Sequence, residues 1–136
     1  FYYMCRLAVD GKQSNNIAAS ITLRGTAEPF KYDLTASDDD WLWDPFNFET
    51  GIIRELAGIT VSNGKSVTVT GGGMPTVPEF VVTESASLAV TYNGKSHNML
   101  LPGTYRFPAI NIGADDVTLQ FTGSGKLSIR YLGAYL

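Results

Sequence analysis

The sequence predicts an all-β fold, an antiparallel β-sandwich with a β-hairpin at its N-terminus. No segment shows the sustained apolar period of about 3.6 residues that marks an amphipathic helix. Short apolar and β-branched runs instead recur about every 8–12 residues, with Gly, Pro, Asn and Asp between them. Asn63-Gly64 and Asn93-Gly94 add two dipeptides of the kind that most strongly favours tight hairpin turns. These features are typical of a sandwich and of no helical class.

The composition indicates a globular protein of one compact domain with an appended hairpin. Its 136 residues are 44% hydrophobic and 17% charged, which excludes a disordered chain. No stretch approaches the ~20 apolar residues of a membrane helix, so we expect no membrane partner. The net charge is −3 and the ten Lys and Arg residues are scattered. A nucleic-acid partner, which requires a basic surface, is therefore not expected.

Cys5 is the single cysteine, so no internal disulfide framework can hold the fold. It lies in a strand with no base beside it in sequence, and we expect a packed thiol. The chain opens on Phe1-Tyr2-Tyr3-Met4, inside an apparent strand and without the pattern of a signal peptide. We therefore expect a fragment of a longer protein.

The N-terminal hairpin is predicted from two apolar, β-branched runs over residues 1–9 and 17–24, joined by a polar loop over 10–16. The run that includes Pro29 should end the pairing, because proline cannot donate to a sheet ladder. We divide the chain accordingly into a hairpin unit over residues 1–34 and a sandwich over residues 35–136.

An aromatic stretch over residues 41–51 holds both tryptophans and two of the seven phenylalanines. Each large ring can bury about 150–250 Å², and a soluble protein does not normally leave such a cluster in water. The stretch is a core plug, a seam between two substructures or an aromatic binding platform. Because it separates one strand pair from a longer series of strands, we interpret it as the joint between them.

Three further hairpins are predicted after the aromatic stretch. The first spans residues 59–69 around Asn63-Gly64, the second spans 88–101 around Asn93-Gly94, and the third spans 117–132 around Gly123-Ser124-Gly125. A separate strand is predicted over residues 80–83. Residues 104–112 should be extended but interrupted by Pro108.

Gly64-Lys65-Ser66 and Gly94-Lys95-Ser96 each resemble the end of a phosphate-binding loop. The motif also needs a glycine five positions earlier, where this chain has Ile59 and Ala89, and a helix must follow. Strands follow here instead. We interpret both triplets as turns.

His97 is the only histidine, which rules out a site with several histidine ligands. Counting does not exclude a Ser-His-Asp triad, but the chain has no Gly-x-Ser-x-Gly elbow. The acidic run 38–40, with Asp44 and Glu49, does not have EF-hand spacing and is most simply a solvated turn. The sequence therefore predicts no catalytic residue, no cofactor and no metal site.

A carbohydrate site is the one binding site that the residue pattern suggests. Alternating aromatic rings such as Trp41 and Trp43 could stack on sugar rings if they lie on an exposed face, whereas burial of both indoles would mean a structural role. The candidate saccharide-binding residues are Trp41, Trp43, Tyr92, Tyr105 and Arg106.

The order of several motifs resembles the distal tail protein of siphovirus-type bacteriophages. Residues 21–32 run from a β-branched strand into Glu28-Pro29-Phe30, as the last strand of that family's ring domain does. Residues 41–51 resemble the entry into its C-terminal galectin-like sandwich. Residues 126–136 resemble the closing hairpin with its terminal aromatic-Leu pair. The resemblance covers nearly the whole chain.

The resemblance implies that residues 1–34 are a remnant of a ring-forming domain and that residues 35–136 form a galectin-like, jelly-roll-like sandwich. Proteins of this family form a homohexamer that joins the tail tube to the tail tip or baseplate. They are virion components made in the cytoplasm of the host bacterium, and they have no active site. The hairpin strands would lack their native sheet partners here, so their edges would be prone to self-association.

The predicted function is therefore that of a structural tail component that presents a docking surface to other tail proteins, and not that of an enzyme. The alternative is a carbohydrate-binding module that recognises saccharide on the host cell surface.

Overall fold

A computed structural model describes residues 2–14, 18–32 and 55–135. This part of the chain is all-β and antiparallel, and it contains no helix. Its strands are β1 (Tyr2–Ser14), β2 (Ala19–Tyr32), β3 (Ile59–Val61), β4 (Lys65–Val69), β5 (Glu79–Tyr92), β6 (Lys95–Asn98), β7 (Gly103–Arg106), β8 (Val117–Arg130) and β9 (Ala134–Tyr135). β1, β2 and β9 form one sheet, and the other strands form the second.

Two long strands, β5 and β8, form the frame of the sandwich. Each has 14 residues, and they pair with each other from Glu79↔Arg130 to Thr91↔Gln120. The first half of β5 also pairs with β7 and its second half with β6. The first half of β8 also pairs with β4 and its second half with β3. Two four-stranded layers, β4-β8-β5-β6 and β3-β8-β5-β7, therefore share the same two central strands.

The β5–β8 pair bends back so that the two layers face each other. Phe80 pairs with Ile129, and Phe121 lies eight positions before Ile129 on β8. A straight strand would separate those two positions by about 26 Å, at ~3.3 Å per residue. The ring centroids of Phe80 and Phe121 are instead 6.3 Å apart, in an edge-to-face arrangement. Strands that change layer at a bend or bulge are a known way to build such a corner.

The bend coincides with irregular pairing in both strands. The β5–β8 register shifts between Val82 and Glu84 and again between Ala86 and Ala89. Ser87 has φ of 56° and Gly123 has φ of 78°. Only a glycine tolerates the position of Gly123, because a Cβ there would collide with the Ser87 carbonyl oxygen. The chain therefore turns its layers at a point that requires glycine.

The core lies between the two layers and draws apolar side chains from both. Alternate residues of β3, of β8 and of the first part of β5 are buried, as expected for a two-layer fold. The fully enclosed side chains of the core are Phe80, Leu88, Val90, Met99, Ile110, Ile112, Leu119, Leu127, Ile129 and Val69, each at 0% exposure. The predicted antiparallel sandwich is confirmed.

Of the three hairpins predicted in the sandwich, the one at Asn93-Gly94 is confirmed. Asn93 has φ of 47° and Gly94 has φ of 75°, and the flanking Tyr92 and Lys95 face each other in the register. Two successive positive φ values suit a two-residue turn whose twist matches that of its strands.

The other two predicted hairpins are wrong. β3 and β4 do not pair with each other, because both run antiparallel to β8 and follow it around the bend. Asn63-Gly64, with φ of 52° and 104°, therefore forms a corner. Gly123-Ser124-Gly125 likewise lies inside the continuous strand β8. The predicted strand over residues 80–83 is the first part of β5.

The N-terminal hairpin is present and longer than predicted. β1 and β2 pair from Tyr2↔Tyr32 to Ser14↔Ala19. The prediction that pairing ends near Pro29 is wrong, since Pro29 falls where the register shifts between Tyr3 and Cys5, and a bulge tolerates proline. β9 adds to β2 through Lys31↔Tyr135 and joins the hairpin to the end of the sandwich chain.

Four other predictions concern the N-terminal half. The aromatic stretch over residues 41–51, the acidic run before it and the boundary between residues 34 and 35 lie outside the described residues. The expected packing of the Cys5 thiol is wrong, because this free cysteine is exposed on the hairpin.

Candidate functional site

The predicted saccharide residues are divided between described and undescribed parts of the chain. Trp41 and Trp43 lie outside the described residues. Tyr92 ends β5 beside β6, whereas Tyr105 and Arg106 lie on β7, at the other half of β5. The three described residues therefore belong to different layers of the sandwich.

Tyr105 is a structural anchor for the loop between β6 and β7. Its hydroxyl donates to the Leu101 carbonyl oxygen at 2.8 Å and accepts from the Leu101 amide at 3.3 Å. Its half-buried ring stacks on Phe107, with centroids 6.1 Å apart and an interplanar angle of 20°. The hydroxyl therefore already acts as both donor and acceptor within this chain, and one face of the ring is covered by Phe107.

Tyr92 and Arg106 are also engaged by neighbouring groups of the chain. The Tyr92 hydroxyl donates to the Asn111 carbonyl oxygen at 3.3 Å, and its half-buried ring packs against the core. The Arg106 guanidinium lies 3.6 Å from the Glu79 carboxylate in an exposed ion pair. Such a pair contributes little stability. Nothing in this geometry gathers these side chains around one ligand.

We expect Tyr105→Phe to lower the free energy of unfolding by about 0.5–1.5 kcal/mol, because it removes two hydrogen bonds at one loop. Tyr92→Phe removes one longer bond and should have a smaller effect. Urea titration of both variants measures the difference. Equal midpoints for Tyr105→Phe and the unmodified protein would contradict the anchoring role.

His97 lies on β6 with its ring against Phe107, at a centroid distance of 4.7 Å. Its Nε2 atom is enclosed and has no hydrogen-bond partner among the described residues. No group of three or more His, Cys, Asp or Glu side chains in the described part of the chain could hold a metal ion. His97 is therefore packed as an aromatic member of the sandwich edge, and none of the described carboxylates orients it as a catalytic base.

The most unusual surface of the described chain is one face of the N-terminal hairpin. The β1–β2 register places Leu7 opposite Gly25, Val9 opposite Leu23 and Cys5 opposite Ala27 on the same side. Ile21 belongs to this side because it lies two positions from Leu23. We define the apolar hairpin face as Tyr3, Cys5, Leu7, Val9, Ile21, Leu23 and Ala27.

The large side chains of the apolar hairpin face remain in solvent. Tyr3, Leu7, Val9, Ile21 and Leu23 are 59–67% exposed. The opposite face is mostly polar, with the exposed Met4 as its apolar exception, and it carries the exposed Arg24–Asp10 ion pair at 3.2 Å. The alternation of Ile21 and Leu23 was visible in sequence, but its partner residues on β1 could be assigned only once the register was known.

A cavity of about 190 Å³ lies where the hairpin meets the sandwich. Its lining is mainly apolar and comprises Met4, Tyr32, Met74, Pro75, Thr76, Leu132 and Ala134. The Tyr32 hydroxyl is turned to the Glu28 carboxylate at 2.7 Å. With so few polar groups directed into it, the cavity has little to orient a specific small ligand.

Comparison of the chain with protein-family models, with curated proteins and with solved structures finds no match. None of the described residues belongs to a helix long and apolar enough to cross a membrane. The functional conclusion therefore rests on the surfaces described above.

Proposed function

We propose that this chain is a structural component of a siphovirus-type phage tail or of a prophage-derived particle, and that it is the C-terminal part of a distal tail protein. The motif order in the sequence suggested this assignment. In this proposal the sandwich is galectin-like, the hairpin belongs to a ring-forming domain, and the complete protein is a homohexamer between the tail tube and the tip or baseplate.

One observation carries the proposal: a long hairpin with an exposed apolar face is attached to a sandwich that has its own closed core. Exposed contiguous apolar surfaces on a soluble protein mark sites of protein association. A rigid module of this kind acts by geometry, since it holds docking surfaces in fixed positions without forming a reaction centre.

The described polar side chains favour a scaffold over saccharide recognition. A sugar site needs hydroxyl and amide groups that are free to bond the ligand. Tyr92 and Tyr105 instead use their hydroxyls on loop carbonyl groups of this chain. These two hydroxyls therefore stabilise loops of the sandwich and are not directed at a ligand.

The proposal is tested by immunogold electron microscopy with an antibody raised against this chain. Particles induced from the bacterium that encodes the chain should carry gold at the distal end of the tail tube. Antibody absorbed with the purified chain is the control and should leave the tails unlabelled. Labelling of capsids only, or of no particle, would overturn the tail assignment.

The saccharide alternative is tested by tryptophan fluorescence with acrylamide quenching while host cell-wall polysaccharide is added. A scaffold role predicts that quenching does not change with polysaccharide. Protection of the emission on titration would instead make Trp41 and Trp43 part of a receptor site.

A further inference from the structure

The hairpin has the form of half a sandwich, with one mostly polar face and one apolar face. Thr22 is next to Leu23 on β2, and its side chain points to the mostly polar face, whereas Leu23 points to the apolar face. On the apolar side, no described residue covers the five large side chains that are 59–67% exposed. A two-stranded hairpin alone is only marginally stable in water, because it needs a packed apolar face or more strands.

The apolar hairpin face has the anatomy of an interface. Its centre is uncharged, and the register places Lys12 opposite Ile21 at the tip and Lys31 opposite Tyr3 at the base. An apolar centre with a charged rim is the usual arrangement at protein interfaces. Leu7 lies over Gly25, where an added Cβ would be 3.1 Å from the leucine Cδ2 atom.

The area of this face fits a second copy of the same chain. Full burial of one such side chain removes on the order of 100 Å² from water. Five side chains from each of two copies would therefore bury about 1,000 Å², which reaches the lower limit of a specific interface. A second hairpin of the same length and width supplies the missing layer at the usual sheet-to-sheet spacing of about 10 Å.

We propose that two copies of this chain pack their apolar hairpin faces against each other in a two-fold symmetric dimer. The same patch then serves on both copies, as a closed two-fold contact requires. This inference starts from the same exposed face as the tail assignment but does not require that assignment. Immunogold labelling and the association test below can fail separately.

The first measurement is sedimentation velocity of the whole chain over a range of concentrations, with reductant present so that no disulfide forms. We expect a reversible shift from monomer to dimer as the protein concentration rises. Cys5 lies on the apolar hairpin face, is exposed in the single chain and is the only cysteine. Its rate of reaction with a thiol reagent should therefore fall several-fold as the dimer forms.

Leu23→Lys and Thr22→Lys are the matched variants. They introduce the same charge at adjacent exposed positions of β2 but on opposite faces. Leu23→Lys should weaken dimerisation at least ~10-fold, because the contact would bury one charged lysine from each copy against apolar side chains. Thr22→Lys should change the dissociation constant of the dimer by less than about twofold. Circular dichroism should show that both variants keep the strand content of the unmodified chain.

Three results would overturn the two-fold contact. The chain could remain a single copy at all concentrations while Cys5 keeps its full reactivity. The two lysine variants could weaken association equally. Association could proceed beyond two copies while Cys5 stays reactive, which would place the contact on another surface.

Discussion

Gly123→Ala is expected to destabilise the sandwich by about 2–5 kcal/mol. A left-handed backbone costs a non-glycine residue roughly 1–2 kcal/mol, and Gly123 has φ of 78°. The added methyl group would also collide with the Ser87 carbonyl oxygen and lie 2.9 Å from that of Ala86. Overpacking of this kind costs a further ~1–3 kcal/mol, because the strands must move apart at the bend. The measurement is the urea midpoint of unfolding.

Two other glycines separate these contributions. Gly94 has nearly the same φ, 75°, but nothing lies within 4 Å of an added Cβ. Gly94→Ala should therefore lower the free energy of unfolding only by the roughly 1–2 kcal/mol that a left-handed backbone costs a non-glycine residue. Gly113 also has open space around its Cβ position and no left-handed φ. Gly113→Ala should therefore be close to neutral. Equal losses for Gly123→Ala and Gly94→Ala would show that the bend is not closely packed at Gly123.

Gly123 also illustrates why the fold class could be predicted from the sequence whereas the pairing of the strands could not. Gly123-Ser124-Gly125 provides a left-handed position, which a hairpin turn and a bend within one strand use equally well. What distinguishes them is whether the flanking segments pair with each other or with a third strand. Here both flanks pair with β5. That contact is distant in sequence, so local residue preferences do not report it.

Asn63-Gly64 and Asn93-Gly94 give the same lesson from identical dipeptides. The second closes β5 onto β6, and the first carries the chain from β3 to β4 along the bent β8. In both, two successive residues have positive φ. The dipeptide determines the local backbone, and the tertiary contacts of the flanking strands determine whether the chain reverses.

The candidate site was predictable only in part. The alternation of Ile21 and Leu23 indicates a strand with one apolar face, but it does not show whether that face is covered, and the hairpin leaves both side chains in solvent. Tyr92 and Tyr105 could be selected as aromatic candidates from sequence. Their hydroxyl partners, the carbonyl groups of Asn111 and Leu101, depend on loop positions that no residue pattern specifies.

Phe80→Ala is the second change with a large expected effect, a loss of about 3–5 kcal/mol in the free energy of unfolding. Phe80 is fully buried, and its ring centroid lies 5.9 Å from that of Phe107 and 6.3 Å from that of Phe121. Truncation leaves a cavity between two layers that are fixed by the β5–β8 ladder, so the site cannot collapse fully. Leu101→Ala is the control, because Leu101 is 70% exposed and its truncation should change stability by less than about 0.5 kcal/mol.

A double-mutant cycle with Phe80→Ala and Phe121→Ala then tests the bend itself. Rings that meet across two layers should show a coupling of about 0.5–1.5 kcal/mol, since edge-to-face aromatic pairs contribute beyond their buried area. In a flat β5–β8 pair the two residues would be about 26 Å apart along the strands and their effects would add. Strict additivity in urea unfolding would therefore contradict the folded-over arrangement. Measurable coupling between two residues that share no strand pairing requires that β5 and β8 turn back on themselves.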